Sequence, residues 1–417
     1  MAASLESLEA RLDAAGATSS ADGLPLHAAT LMLTQNILGA GMLSLPYALR
    51  TAGLAAGLTL IAFVCVLSVL SMGLLVVLSN HLGSCSYKDS ATATLGQRWS
   101  ILVEVWVLCY TLGICVSYPV LLGDFLCALG NQLGAGAWSS KHFWMCWSVI
   151  LVCWPLSCVP SLGGLKWPSR LGMVGTLFTT VAVVARYVDG SYDYLGERNN
   201  FSAVNLSTLG DCFPILVGAF GAHYNIPTLY REVAPSAGEA GRMMRVIVGA
   251  VAISSLVYGI VGVAVYATFG ESTRSDFSEN FDAGDAWLAV VRVLMALALC
   301  VSFPLSLVAA RNAVFNIALK PRGWTMKPSL RLGLSTGLSF LCLLVAAAAG
   351  EVGAVLAYNG SVFGIPVCFV APPAMYLRLP RHSQSAGWRV LCAVSIASGV
   401  AFGALGIAVV TASPRGR

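Results

Sequence analysis

The sequence predicts an all-α protein that crosses a membrane many times, and three observations carry that prediction. Hydrophobic residues form 57% of the 417-residue chain and charged residues only 10%, with a mean hydropathy of +0.78. A soluble domain is about one quarter charged, so these charges are too few to solvate a globular surface. Eleven apolar runs, each near the roughly 20 residues that a spanning helix needs, are separated by charges and turn formers. The first and the sixth of these runs are interrupted by glycine and proline at matching places. The same composition excludes a disordered chain, a nucleic-acid binder and an ordinary cytosolic enzyme.

Residues 1–27 read as a polar tail of mixed charge, with Glu6, Glu9, Arg11 and Asp13. It has no apolar core of the kind a cleavable signal peptide needs, and a solvated tail is expected, with a short polar helix over Ser4 to Ala15 as the alternative. The spanning domain covers 28–412. Its apolar runs fall near 29–50, 54–78, 100–129, 142–160, 170–189, 210–231, 244–268, 285–315, 330–350, 353–378 and 387–411. The division around Glu351 is the weakest, and a single long hairpin is the alternative there. Residues 413–417 form a short C-terminal tail.

Placing the N-terminus inside puts 16 of the 24 lysines and arginines on the inner side, the densest group being Arg311, Lys320, Arg322, Lys327 and Arg331. That bias predicts a cytoplasmic N-terminus, and an odd number of spans then puts the C-terminus on the other side. Loop 269–285 is acidic, as suits an outer loop. Asn200 and Asn205 head glycosylation tripeptides in loop 190–209, which is outer in this orientation; Asn359 heads a third but lies too near a helix to be an acceptor. Most of the 13 cysteines fall within spans, where a thiol behaves as a small apolar group, and no Cys-x-x-Cys set has metal spacing.

The first run contains Gln35-Asn-Ile-Leu-Gly-Ala-Gly-Met-Leu-Ser-Leu-Pro-Tyr47, and the sixth contains Gly218-Ala-Phe-Gly-Ala-His-Tyr-Asn-Ile-Pro227. Glycine and proline weaken a helix, and an unwound stretch deep in lipid is tolerable only where it lines a polar cavity. Two such breaks five spans apart are the pattern of inverted five-helix repeats that meet at the midplane. Freed N–H groups at a half-helix start attract a carboxylate, and freed carbonyls attract a cation. Small residues that merely let helices pack closely are the competing explanation of either cluster alone.

Ionisable groups within spans are next in weight. His223 lies in the sixth-run break and is a candidate for substrate contact or proton relay, or a plug for freed carbonyls. Asp124, about 35 Å along the third run at 1.5 Å per residue, is expected near the outer interface as a gating or proton group. Glu104 and Glu232 are expected at the inner interface, and Arg292 is expected to snorkel outward. Ser302, two residues before Pro304, lies deeper. No nucleophile elbow, P-loop or His/Glu metal pair is present, so no enzyme is expected, and no cofactor.

These segments resemble a known family. Asn36-Ile-Leu-Gly-Ala-Gly-Met-Leu-Ser-Leu-Pro-Tyr-Ala48 resembles the first-helix signature of the amino acid/auxin permeases. Phe213 to Glu232 is similar to the sixth-helix segment of the sodium-coupled neutral amino acid transporters, and Leu112 to Asp124 resembles the third helix of that branch and of fungal vacuolar amino acid transporters. Pro304 with Arg311, and Met375-Tyr-Leu-Arg-Leu379, also fit. The resemblance implies a LeuT-like 5+5 inverted repeat with an eleventh helix, and secondary active transport of neutral L-amino acids by alternating access, coupled to sodium or protons. An amino acid sensor with little flux is the alternative; its short tail disfavours it.

Under that resemblance the substrate carboxylate would meet the N–H groups of Gly39, Ala40 and Gly41, with Asn36 beside them. The ammonium would meet carbonyls near Ala219, Phe220 and Gly221, with His223 close by. A candidate sodium site would take Gln35, Asn36, Leu38 and Ser302. In sodium-coupled members an Asn and a Thr help hold the ion; they align here with Gln35 and Ser302, a departure that opens proton coupling through Asp124 or His223. The expected partners are a neutral amino acid and the lipid bilayer, and no nucleic acid. The plasma membrane and a vacuolar or lysosomal membrane both suit the topology.

Overall fold

The structure is a computed structural model. It describes residues 23–84, 86–132, 134, 140–192, 209–233, 239–282, 284–349, 352–381 and 384–412. Residues 1–22 of the N-terminal tail expected over 1–27, the two glycosylation tripeptides at Asn200 and Asn205, the division at Glu351 and the last five residues lie outside these.

In chain order the helices are α1 (Leu26–Leu38), α2 (Gly41–Ala52), α3 (Leu54–Leu82), α4 (Tyr87–Leu95), α5 (Gln97–Gln132), α6 (Lys141–Ser148), α7 (Trp154–Ser157), α8 (Lys166–Asp189), α9 (Leu209–Phe220), α10 (Ile226–Val233), α11 (Ala240–Phe269), α12 (Ala286–Val314), α13 (Pro328–Ala348), α14 (Val352–Asn359), α15 (Ala371–Tyr376) and α16 (Ala386–Ala412). There is no strand among the described residues. Seven of the described helical segments are each long and apolar enough to cross a bilayer, and α1 with α2, bent by 52°, supplies an eighth. The three other expected spans are also helical, but each is cut into shorter pieces. Large apolar side chains stay exposed on the outer helices, such as Leu171 and Val188 on α8 and Leu344 on α13, because lipid rather than water is their solvent.

Proline explains most of the cutting. Four π-turns occur among the described residues, at Val149–Cys153, Phe315–Leu319, Gly360–Gly364 and Pro366–Val370. Pro155, Pro321, Pro366 and the pair Pro372-Pro373 each stand four residues beyond a residue of one of these turns. A proline has no N–H for that carbonyl, so the ladder slips to the wider turn. Two of the carbonyls left over, those of Cys368 and Phe369, accept from Ser71 and Ser395 instead, the latter at 2.9 Å.

The packing supports a two-fold repeat. The half-helices of the first and sixth spans touch (α2 with α9), as do the second and seventh (α3 with α11) and the third and eighth (α5 with α12). The 18-residue core of the eighth span is 83% buried, whereas that of α16 is 28% buried at the edge. The buried Arg311 of α12 donates to Ser157 O and Ser335 Oγ, both at 3.0 Å, and to Val159 O at 3.2 Å, tying the eighth span to the fourth and ninth. Its cation thus satisfies the loose carbonyls at the end of α7.

Of the three charged residues expected near span ends, Arg292 needs correction. Glu104 is 2% exposed and accepts from Asn316 Nδ2 at 2.9 Å. Glu232 is half-buried and accepts the N–H groups of Leu162 and Gly163 at 3.0 and 2.7 Å, so it pins the end of α10 to the turn before α8. Arg292 does not snorkel; it is buried under loop 273–285 and donates to Ser278 O at 3.4 Å. Asn359 is buried with Nδ2 on Tyr110 O at 3.0 Å, in keeping with its not being an acceptor.

Candidate functional site

Both expected breaks are present. The first falls at Gly39–Ala40, between α1 and α2. Gly39 has φ of +24°, a region that L side chains avoid, and its N–H closes α1 on Gln35 O at 3.1 Å. Pro46, which sequence reasoning counted toward the break, sits inside α2 without interrupting it. The second break runs from Gly221 through the 3₁₀ turn His223–Asn225 to α10. Ala222 N–H reaches Phe220 O at 2.9 Å, and Asn225 N–H reaches Ala222 O at 3.2 Å.

The breaks touch. A Cβ on Gly41 would stand 2.7 Å from Ala219 Cα and 2.7 Å from Tyr258 Oη, so only glycine lets α2 lie on α9 here. Tyr258 of α11 links the two: its hydroxyl is 2.7 Å from Ile37 O and 2.9 Å from Ala219 O. Tyr110 of α5 lies against Gly221, with its hydroxyl 3.4 Å from Val217 O, and Tyr118 lies against Gly39. Tyrosine hydroxyls therefore serve carbonyls that the unwinding frees.

Between the breaks is a cavity of about 390 Å³, a volume that includes its open mouth, lined on its polar side by Asn36, Gly39–Gly41, Ser44, Gly218, Ala219 and Gly221. Its apolar side is Ile114, Tyr118, Ile215 and Leu356. A second hollow, of about 210 Å³, lies on the α1 side, and Asn36 borders both. Asn36 Oδ1 accepts from Tyr224 at 3.3 Å and from Asn225 Nδ2 at 3.5 Å; Tyr224 Oη is 2.9 Å from Ser306 Oγ, and Asn225 Nδ2 also reaches Leu305 O at 3.0 Å. This polar knot is a floor between the hollows. Asn36 Nδ2 is buried and has no hydrogen-bond partner among the described residues.

Of the eight expected substrate residues, Asn36, Gly39, Ala40, Gly41, Ala219 and Gly221 line the cavity. Phe220 and His223 do not. Phe220 is buried edge-on to Tyr258, ring centres 5.2 Å apart. His223 is buried edge-on to Phe369 at 5.7 Å, with neither ring nitrogen hydrogen-bonded. Gly39 N–H is already used by Gln35 O, which leaves the start of α2 (Ala40, Gly41 and Met42) as the source of loose N–H groups.

Of the four expected cation ligands only Gln35 and Ser302 meet. Gln35 Nε2 is 3.0 Å from Ser302 Oγ and 3.2 Å from Ala298 O. Leu38 O faces Tyr258 at 3.5 Å, and Asn36 belongs to the floor. Asp124 is paired with Lys141 at 2.7 Å and is about one-third exposed, away from the cavity. Sequence reasoning missed Tyr110, Tyr118, Tyr224 and Tyr258; the available signal was a phenol placed within an apolar run, which needs a hydrogen-bond partner there.

A bundle with two facing helix breaks and a closed polar floor defines a carrier of the LeuT type. The chain belongs to the family described as transmembrane amino acid transporter protein, whose sequence profile matches residues 26–413. It is a membrane transporter and not an enzyme. It is 26% identical to amino acid transporter AVT6E of Arabidopsis thaliana over 88% of this chain and 78% of that one. It is 24% identical to putative sodium-coupled neutral amino acid transporter 11 of Danio rerio, over 94% and 87%. With sodium-coupled neutral amino acid transporter 7 of Homo sapiens the identity is 25%, over 82% and 76%. A solved Na+-coupled sialic acid symporter, in a substrate-bound outward-open state, superposes with a TM-score of 0.52 at 13% identity, covering 92% of this chain and 90% of that one. That likeness is one of fold.

Proposed function

We propose that the chain moves neutral L-amino acids across its membrane by alternating access, as a secondary active carrier coupled to sodium or protons. The observation that carries this reading is the pair of facing breaks around one cavity. The start of α2 offers N–H groups to a carboxylate, reinforced by the half-helix dipole. Carbonyls of the second break, at Ala219 and Gly221, offer acceptors to an ammonium, and Asn36 Nδ2 is a spare donor beside them. Among the described residues no charged side chain lines the cavity, and Ile114, Ile215 and Leu356 supply an apolar wall. That wall suits an uncharged side chain. The names of two of the relatives point the same way.

The floor formed by Asn36, Tyr224, Asn225 and Ser306 is the element that alternation must open. With the N-terminus cytoplasmic, the larger hollow faces out and the smaller one faces in. Either the plasma membrane or an acidic organelle's membrane suits this arrangement, and the outer loop with Asn200 and Asn205 would carry any glycan. His223 and Asp124 remain the proton candidates.

Radiolabelled uptake into liposomes containing the purified chain tests the reading. Saturable uptake of neutral amino acids, blocked by an excess of unlabelled substrate, is expected. Binding without flux would favour a sensor, and flux of charged amino acids alone would remove the neutral assignment.

A further inference from the structure

We propose that the side-chain amide of Gln35 permanently fills the cation position between the first and eighth spans, so that transport needs no sodium there. The consequence for flux rests on the transport reading above; the occupancy itself does not.

Three oxygens surround this point: Ala298 O, Ser302 Oγ and the main-chain oxygen of Gln35. Neutral oxygens freed near a helix break are what a coupling cation takes in such folds. Here each is already engaged. The Gln35 amide donates to Ser302 Oγ at 3.0 Å and to Ala298 O at 3.2 Å. The Ser302 hydroxyl donates back to Gln35 O at 3.3 Å, and Gly39 N–H reaches the same oxygen at 3.1 Å. The pair is therefore reciprocal, each residue donating to and accepting from the other inside a slot that is 0% exposed at Gln35 and at Ser302.

The orientation of the amide is decided by chemistry. A carbonyl only accepts, so the end that faces Ala298 O is the NH₂. To hold sodium, Gln35 would have to present its oxygen instead. That oxygen points elsewhere, buried and without a hydrogen-bond partner. Its side of the slot is backed by Gly172 of α8: a Cβ there would lie 3.0 Å from Gln35 Cδ and Oε1. The glycine makes room for the amide. An arriving cation would have to expel a buried amide and break both of its hydrogen bonds. The N–H groups thus supply the positive end that these oxygens attract, without net charge and without exchange with solution.

The test uses the full purified chain, in liposomes for uptake and in detergent for thermal unfolding. Sodium chloride is compared with choline chloride at equal pH and ionic strength. The wild type is expected to take up neutral amino acid at a rate that changes by less than the roughly 5-fold floor of a typical coupling, and to show no sodium-dependent rise in melting temperature. Gln35→Ala empties the position, and a sodium-dependent rise in melting temperature, with sodium-stimulated uptake, is expected to appear. Gln35→Asn, whose side chain is one methylene shorter and withdraws the amide from Ala298 O, is expected to give the same gain should Gln35→Ala fail to fold. Sodium stabilisation of the wild type, a larger loss of its uptake in choline, or variants as indifferent to sodium as the wild type would each overturn the proposal. Absence of amino acid flux in both salts would instead defeat the transport reading, and the melting temperatures would still judge the amide.

Discussion

The two helix breaks occupy symmetry-related places but are built differently. The first is made by backbone conformation: Gly39 turns at φ +24°, the helix axis bends by 52°, and a new helix starts two residues later. The second has no positive φ. There α9 stops, the chain makes a tight turn and a 3₁₀ turn, and Tyr110 lies where a longer residue at Gly221 would need space. The first break therefore presents a helix start, with N–H groups, and the second presents a helix end, with carbonyls. A zwitterion needs one of each. Two copies of the same break would give it a poorer fit, so divergence between the repeats is what makes a symmetric scaffold into an asymmetric site.

The largest effect is expected from the first break. Gly39→Val puts a β-branched residue where φ is positive and pushes toward Tyr118 Oη, which would be 2.8 Å from the new Cβ. Strain of a few kcal/mol falls on the segment that offers the N–H groups, so substrate uptake should drop by about 100-fold or more. Surface or membrane abundance, measured in parallel, should hold. Uptake near the wild-type rate would show that the bend at Gly39 is dispensable.

The second break should fail for a different reason, and so be repairable. Gly221→Ala would place Cβ 1.6 Å from Tyr110 Oη, 2.7 Å from its Cζ and 2.9 Å from Val217 O, a clash with neighbours rather than with the residue's own φ. A loss of about 10-fold is expected from overpacking, with part of it recovered when Tyr110→Phe removes the nearest atom. Tyr118→Phe should not repair Gly39→Ala, because the strain there is in φ. Equal rescue at both sites, in a double-mutant cycle on uptake, would erase the distinction between them.

Tyr258 joins the two. Tyr258→Phe leaves Ile37 O and Ala219 O without their shared donor in a buried place, a cost of about 1–3 kcal/mol. KM for substrate should rise by about 10-fold, since both halves of the site lose their common brace. An unchanged KM and melting temperature would mean that the hydroxyl is incidental.

How much of this was legible beforehand follows a physical line. The spans were legible because lipid demands long apolar runs, and all eleven expected runs coincide with helices among the described residues. The breaks were legible because glycine is a poor helix former, and their place was right to within a few residues. Pro46 was overread: it is the sixth residue of α2, and the helix runs through it without interruption. The π-turns were not anticipated, although the four-residue offset from each proline is readable once stated. Phe220 and His223 do not line the cavity, because sequence gives proximity along the chain, not which face of a broken helix meets the hollow. The tyrosines were missed for the reverse reason: they come from α5 and α11, far from the breaks in sequence. Whether an amide presents nitrogen or oxygen, as at Gln35, depends on a carbonyl 263 residues away.

The smallest effect tests what braces the first break from outside. The half-helix α2 packs on the short turn Phe277–Asn280, and Arg50 at its end donates to Thr273 O at 2.9 Å. That loop is capped by Asp276, which accepts from Ser278 N–H at 2.9 Å. Burial pushes the Asp276 carboxyl from the ordinary 3.8 up to about 7, against the pull of that hydrogen bond. Between those two values the folded chain keeps a proton that the unfolded chain has released, so stability falls as pH rises through the window and is level on either side. Asp276→Asn keeps an acceptor for Ser278 and carries no charge at any pH. Its melting temperature should therefore lose less than the wild type's between pH 4.5 and pH 8, and the two should converge at the acid end. The second break has no such loop group against α9 among the described residues, so Tyr110 variants should leave this pH dependence as it is. A drop of equal size in Asp276→Asn and wild type would assign the dependence to other carboxylates and take the loop out of the account of why α2 holds its angle.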